Sequence, residues 1–136
     1  MTPAEEARDL TLLRTRHCYD EVRSWHQGWR KEAAQRVKGL PIAIRMQGLM
    51  VVLATLMRED SPYARRLADA LAQWLMVHAP NGPLRGHGVA EAGPRQLLDA
   101  CRNASRAEFL AAEWEAVLFF DHVELYADAM SAAEKW

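Results

Sequence analysis

The stretch Leu40–Leu56, LPIAIRMQGLMVVLATL, is the most apolar run in the chain and limits what can be built around it. Pro41 suits the first turn of a helix, because its fixed φ and missing N–H cost nothing there. Ile42, Met46, Leu49, Leu53 and Leu56 then recur at the three/four spacing of one helical face. Ile44, Val51 and Val52 add apolar surface on other sides, which marks a helix buried at the centre of a fold. Gly48 inside it costs about 1 kcal/mol relative to alanine, and a close crossing by another helix is the expected reason. A membrane span needs about 20 apolar residues, and Arg45 and Gln47 interrupt a run already shorter than that. The expectation is a core helix.

A chain of 136 residues is long enough to bury a core and is read as one domain, residues 1–136. Half of it is apolar and 26% charged, ordinary proportions for a soluble globular protein. Cys18 and Cys101 stand alone, outside any metal-ligand or redox spacing, which predicts a reducing cytoplasm. The polar, acidic start MTPAEEARDL does not read as a signal peptide. The net charge of −1 hides an asymmetry: Arg8 to Arg45 holds nine basic residues against four acidic, while Glu108 to Trp136 holds seven acidic against one basic. A basic N-terminal third can form a local patch even in a chain of near-zero charge.

Helical signals run the length of the sequence. Thr2-Pro3-Ala4-Glu5 is a capping box with proline at N1, and a helical pattern continues to about Lys38. Leu12, Tyr19, Val22, His26, Trp29, Ala33 and Val37 share a face that Cys18 and Trp25 widen. Ser24-Trp25-His26-Gln27 is a second capping box, so this region is either one helix or two with a break near Ser24–Gly28. Gly39 and Pro41 stop it. The core helix is expected to end near Arg58, after which Ser61-Pro62 caps another with Tyr63, Leu67, Ala70, Leu71, Trp74 and Val77 on its apolar face. Residues 80–93 carry four of the seven glycines and two prolines, and read as a mobile loop. A short helix is expected from Pro94 to about Arg102. Ser105-Arg106-Ala107-Glu108 opens a last long one to about Ala133, with Phe109, Ala112, Ala116, Phe120, Val123, Ala127 and Met130 inward. No stretch alternates with period two. The fold class is all-α, a compact bundle of about five or six helices.

Few residues suggest chemistry. The sequence has no P-loop, dinucleotide fingerprint, HExxH or zinc-type Cys/His set, and no Glu-x-x-His of the kind that builds di-metal centres in bundles. No catalytic residue, metal or cofactor is expected, and His26 reads as a satisfied core histidine. The basic residues carry more information. Arg16, Arg23 and Arg30 recur every seven residues, with Lys31 and Lys38 as a second such pair. On a continuous helix those steps are about 10 Å, a reachable spacing for phosphates, and an exposed Trp25 or Trp29 could stack a base. Against this, Asp20 could pair with Arg16 or Arg23 and Glu32 with Arg36, leaving a solvated face above core tryptophans. Asp121, Glu124 and Asp128 form an acidic stripe on the last helix. A molecule basic on one surface and acidic on another can pack head-to-tail with copies of itself.

Three segments resemble one known family. Lys38-Gly39-Leu40-Pro41-Ile42-Ala43-Ile44-Arg45-Met46-Gln47-Gly48-Leu49 is similar to the KxLPxxIxxNGL signature of the small subunit of type III-B (Cmr-type) CRISPR effector complexes. Ala68-Asp69-Ala70-Leu71-Ala72-Gln73-Trp74-Leu75 resembles the family's next, LxxWL-like block. Glu113-Trp114-Glu115-Ala116-Val117-Leu118, running on to Tyr126-Ala127-Asp128-Ala129, resembles its closing helix. The resemblance implies an all-α, non-catalytic subunit whose copies stack inside a ribonucleoprotein, beside the backbone subunits that hold guide RNA. By position it makes Lys38 and Arg45 candidate contacts to guide and target RNA, and Pro41 and Gly48 structural residues of the motif. Gln47 replaces the usual asparagine, Glu124 the usual lysine and His122 a tryptophan. A carboxylate at 124 repels phosphate, so Asp121, Glu124 and Asp128 are expected to face protein. Together with the seven-residue series, the candidate RNA-binding set is Arg16, Arg23, Arg30, Lys31, Lys38 and Arg45. The rival expectations are a helical protein–protein adaptor with no nucleic-acid role and, in a third class, a metal-dependent bundle enzyme.

Overall fold

The computed structural model describes residues 2–80, 82, 84–87 and 92–136, and no strand occurs among them. They form seven α-helices: α1 (Pro3–Arg23), α2 (Arg30–Val37), α3 (Leu40–Gln47), α4 (Leu49–Arg58), α5 (Pro62–Gln73), α6 (Pro94–Asn103) and α7 (Arg106–Glu134). A π-helical turn (Trp74–His78) extends α5, and a 3-10 turn covers Arg85–His87. The all-α expectation holds, with more helices than the five or six read from the sequence because two long helical patterns each break in two.

The first break lies between Arg23 and Arg30, where the sequence left it open. Ser24 does not cap the second helix there. It closes α1, its hydroxyl donating to the Glu21 carbonyl at 2.6 Å, and α2 starts at Trp29 without a side-chain cap. Thr2, Ser61 and Ser105 do cap as their sequence contexts predict, Thr2 and Ser105 in full capping boxes.

The second break overturns the single core helix expected over Leu40–Leu56. Gly48 has φ +95° and ψ 156°, a region open in practice only to glycine, and it separates α3 from α4. It is a joint, not a close helix crossing. The free N–H of Leu49 at the start of α4 donates to Glu113 Oε2 of α7 at 2.8 Å, so a residue 64 positions away supplies the missing cap. The break also divides the supposed apolar face. Leu49, Leu53 and Leu56 are fully buried, whereas Ile42 and Met46 are 62% and 81% exposed. Pro41 is buried in the first turn of α3.

The helix α7 packs on α1, α2 and α3, while α5 packs on α2, α4, α6 and its own π-turn. Phe119 and Phe120 of α7 and Trp74 of the π-turn are among the largest fully buried side chains, and the core is continuous around them. The inner face of α7 is as the sequence predicts, with Ala112, Ala116, Phe120, Val123 and Ala127 buried and Phe109 and Met130 half-buried. Predictions elsewhere fail at single residues: Leu12, Tyr19, His26 and Val77, placed on core faces by periodicity, are exposed. Part of the 80–93 segment packs onto the rest of the fold. Leu84 is fully buried and the Gln73 amide donates to the Ala92 carbonyl at 3.0 Å. Residues 81, 83 and 88–91 of the mobile-loop expectation lie outside the described residues.

One ion pair runs through the interior. Arg14 Nε and Nη2 donate to Glu115 Oε2 and Oε1 at 2.6 and 2.7 Å, and Trp74 Nε1 donates to Oε2 at 2.9 Å. Both charged residues are buried, so their desolvation is offset only because every strong donor and acceptor finds a partner. Among the described residues no buried side-chain nitrogen or oxygen is left without one.

Two outcomes follow for urea unfolding. Gly48→Ala forces a β-carbon into a glycine-only backbone region and against the Glu113 carboxylate, and is expected to cost about 1–3 kcal/mol. Glu115→Ala strands a buried guanidinium and is expected to cost about 3–5 kcal/mol, whereas Arg14→Met with Glu115→Leu loses much less.

Candidate nucleic-acid and protein interface

The six basic candidates occupy α1, α2, α3 and the α2–α3 turn, and the bend after Arg23 prevents them from forming one straight row. Arg16 on α1, Lys31 on α2 and Arg45 on α3 are exposed and have no ion-pair partner among the described residues. The Arg45 guanidinium instead lies 5.5 Å from the centre of the exposed Trp114 ring of α7. Arg23 and Arg30, on either side of the break, converge on Glu134 at the end of α7, with N···O distances of 3.5 and 3.7 Å. Arg30 also sits over the Trp136 ring at 4.7 Å. Lys38 Nζ lies 3.5 Å from Asp128 Oδ1.

The basic and acidic regions, distant in sequence, therefore border each other. The reason is that α7 runs along α1, α2 and α3, bringing its acidic side beside their cations. Asp121 and Asp128 are exposed and Glu124 is half-buried. Burial, then the neighbouring Asp128 and Asp121 carboxylates, push the Glu124 carboxyl above its ordinary range, with Lys38 opposing. The local pairs anticipated for Arg16, Arg23 and Arg36 do not form. Arg36 bonds Glu59 instead, its Nε 2.9 Å from both carboxylate oxygens.

Both tryptophans considered for base stacking are largely taken up by the fold. Trp25 is buried and donates to Glu21 Oε2 at 2.8 Å, and Trp29 is half-buried beside His26. His26 itself is exposed, its Nδ1 accepting the Gly28 N–H at 2.9 Å. The tryptophan that is open is Trp114, 56% exposed, within a strip of Leu110, Leu118 and Leu125 on the outer face of α7. Periodicity placed these residues opposite the core face but did not single them out. The signal was there in the four- and seven-residue spacing of large apolar residues along α7.

Nothing among the described residues groups three or more metal-ligating side chains, and none of the described helices is long and apolar enough to cross a membrane. Both cysteines are free, buried thiols, pushed up from the ordinary thiol value chiefly by burial, Cys101 to about 11. A cleft between α1 and α5 is lined by His17, Glu21, Arg66, Asp69, Gln73 and His78. There the His17 ring lies 4.9 Å from that of His78 and 5.0 Å from that of Trp74. Burial, and secondly the His78 charge, hold His17 below its ordinary value of 6.5.

The fold defines a helical bundle with a glycine joint in its central apolar segment and cations set beside the carboxylates of α7. Comparison with known proteins specifies its family. The family described as CRISPR-associated protein (Cas_Cmr5) matches residues 11–130. The chain belongs to the Cmr5 family, the small subunits of type III-B (Cmr-type) CRISPR effectors, which associate with other effector subunits. The crystal structure of a CRISPR-associated Cmr5 family protein from Thermus thermophilus is similar, with a TM-score of 0.67 and 22% identity over 87% of this chain and 94% of that one. At that identity the likeness is one of fold. No curated protein matches the chain.

The His17 environment gives a measurable pH dependence. The folded state favours neutral imidazole, so its stabilising effect is complete above 6.5 and is lost as pH falls through the lowered folded value. The urea midpoint is expected to fall on acidification below 6.5, and His17→Gln should flatten that part of the profile.

Proposed function

We propose that this chain is a non-catalytic small subunit of a type III-B CRISPR effector acting in the cytoplasm. Copies of it stack in the inner filament beside the backbone subunits, and Arg16, Arg23, Arg30, Lys31, Lys38 and Arg45 contact guide and target RNA phosphates. The observation that carries the reading is the family match over residues 11–130. The RNA contacts draw support from Arg16, Lys31 and Arg45, whose charges are exposed and unpaired among the described residues. Arg23 and Lys38 hold loose, exposed ion pairs at 3.5 Å, and Arg30, half-buried over the Trp136 ring, holds a loose one at 3.7 Å. Such pairs stabilise by about 0–1 kcal/mol each, and a phosphate can take the carboxylate's place with little loss. Contacts of this kind are independent of sequence and strongly dependent on salt. One copy alone binds weakly, and useful affinity comes from linking copies in an assembly.

Asp121, Glu124 and Asp128, with the apolar strip of Leu110, Trp114, Leu118 and Leu125, are assigned to contacts with a neighbouring copy. The outward side of α1 offers that copy an exposed apolar residue, Leu12. Apolar patches rimmed by charge mark protein interfaces, and unlike potentials fix their register. The same strip is the observation in favour of the second reading, a helical adaptor that meets only protein.

Salt titration separates the two. Replacing Arg16, Lys31 and Arg45 with alanine is expected to lower RNA retention by the assembled complex and to reduce the slope of log affinity against log salt by roughly 0.7 per lost contact. An unchanged slope with intact assembly would favour the adaptor.

A further inference from the structure

The end of α7 turns back onto the cations at the α1–α2 break. Lys135 takes a left-handed conformation, φ 55°, and its N–H and that of Trp136 both donate to the Ser131 carbonyl. This turn aims the Trp136 indole at Trp25 and Arg30, with ring centroids 6.4 Å apart in the first case and the guanidinium 4.7 Å from the ring centre in the second. Three donors then surround one carboxylate: Arg23 Nη1 at 3.5 Å, Arg30 Nη1 at 3.7 Å and Trp136 Nε1 at 3.1 Å from the Glu134 oxygens. Only the indole is at hydrogen-bond distance. Both guanidinium groups stop short, so Glu134 leaves them without a made hydrogen bond at this point. A left-handed conformation at a residue other than glycine is disfavoured by about 1–2 kcal/mol, and here it places the third donor.

We propose that Arg23, Arg30 and the Trp136 N–H form a subsite for one RNA phosphodiester, and that Glu134 is its resident stand-in, displaced when RNA binds. The exchange conserves charge, one carboxylate leaving as one phosphate arrives, and it breaks two loose ion pairs and one indole hydrogen bond that the phosphate can accept in turn. Glu134 thereby keeps the subsite closed to weak or stray anions until a polynucleotide held by neighbouring contacts competes for it. Besides donating its indole N–H, Trp136 holds the Arg30 guanidinium by a cation–π contact that survives the exchange. The inference rests on the proposed RNA role and adds to it how one part of the surface is regulated.

The test is binding of a labelled single-stranded oligouridylate to the full chain at low salt, in native protein, Glu134→Gln, and Glu134→Gln combined with Arg23→Ala and Arg30→Ala. Glu134→Gln is expected to tighten binding roughly threefold to tenfold, from two loose ion pairs no longer competed for. The two alanines should abolish that gain. An equal gain in their presence would make it a general charge effect and overturn the subsite. Binding that depends on Arg16, Lys31 and Arg45 but is untouched by Glu134→Gln would overturn the subsite and leave the RNA role standing. No binding by any form, up to millimolar protein, would overturn the subsite, while the salt titration of the assembled complex decides the RNA role by itself. A polyglutamate peptide bound by Glu134→Gln in preference to the oligouridylate would assign the subsite to an acidic protein segment and overturn the RNA assignment.

Discussion

The buried Glu115 carboxylate ties three elements of the core to one another. It joins the middle of α7 to Arg14 of α1 by two short hydrogen bonds and to the π-turn through the Trp74 indole. Because Trp74 and Phe119 are fully buried beside it, the pair sits where water cannot help either charge. Its free energy is therefore set by geometry: well made, it roughly offsets its own desolvation; half made, it is among the costliest defects a core can hold. A hydrophobic replacement could supply equal stability. What the pair specifies is the register of α1 on α7, since only one alignment satisfies both charges and the indole. We take this as the device that fixes where Arg23 arrives beside the end of α7.

That register decides the character of the surface. The basic N-terminal third and the acidic last helix form a continuous field in which cations and anions meet at Arg23–Glu134, Arg30–Glu134 and Lys38–Asp128. All three contacts are loose enough to be exchangeable. Cations further from α7, or capped only by an aromatic ring as Arg45 is by Trp114, retain unopposed charge. The role proposed above asks the chain to meet RNA and protein neighbours without binding either tightly when alone. Weak internal pairs around exposed cations suit that requirement, because each can be traded for an external partner at little cost.

Much of the fold was legible residue by residue. Thr2, Ser61 and Ser105 cap helices because the capping bond spans only two or three residues, a distance that sequence describes completely. The inward face of α7 was legible because a long helix repeats its periodicity many times. Periodicity failed in shorter elements: Ile42 and Met46 match the spacing of Leu49 and Leu53, yet the joint at Gly48 turns them outward. Glycine within an apolar run is consistent with either a tight crossing or a break, and nothing local distinguishes them. The candidate site was legible only as a set of charges. Arg16, Lys31 and Arg45 remain exposed as expected, but the partners of Arg23, Arg30, Arg36 and Lys38 were misjudged or unseen, because nearby carboxylates were assumed and distant ones were found.

The sequence alone determined the helical class, most helix starts, the buried face of the last helix and the family signature around Lys38–Leu49. These depend on interactions within a turn or two of the chain. Tertiary structure alone decided that Gly48 would be a joint capped by Glu113, that Arg14 would find Glu115, and that Glu134 would close over Arg23 and Arg30. Those partners are brought together from 64, 101 and more than 100 positions apart, and their meeting depends on how α1, α2 and α3 align on α7, which no local pattern encodes.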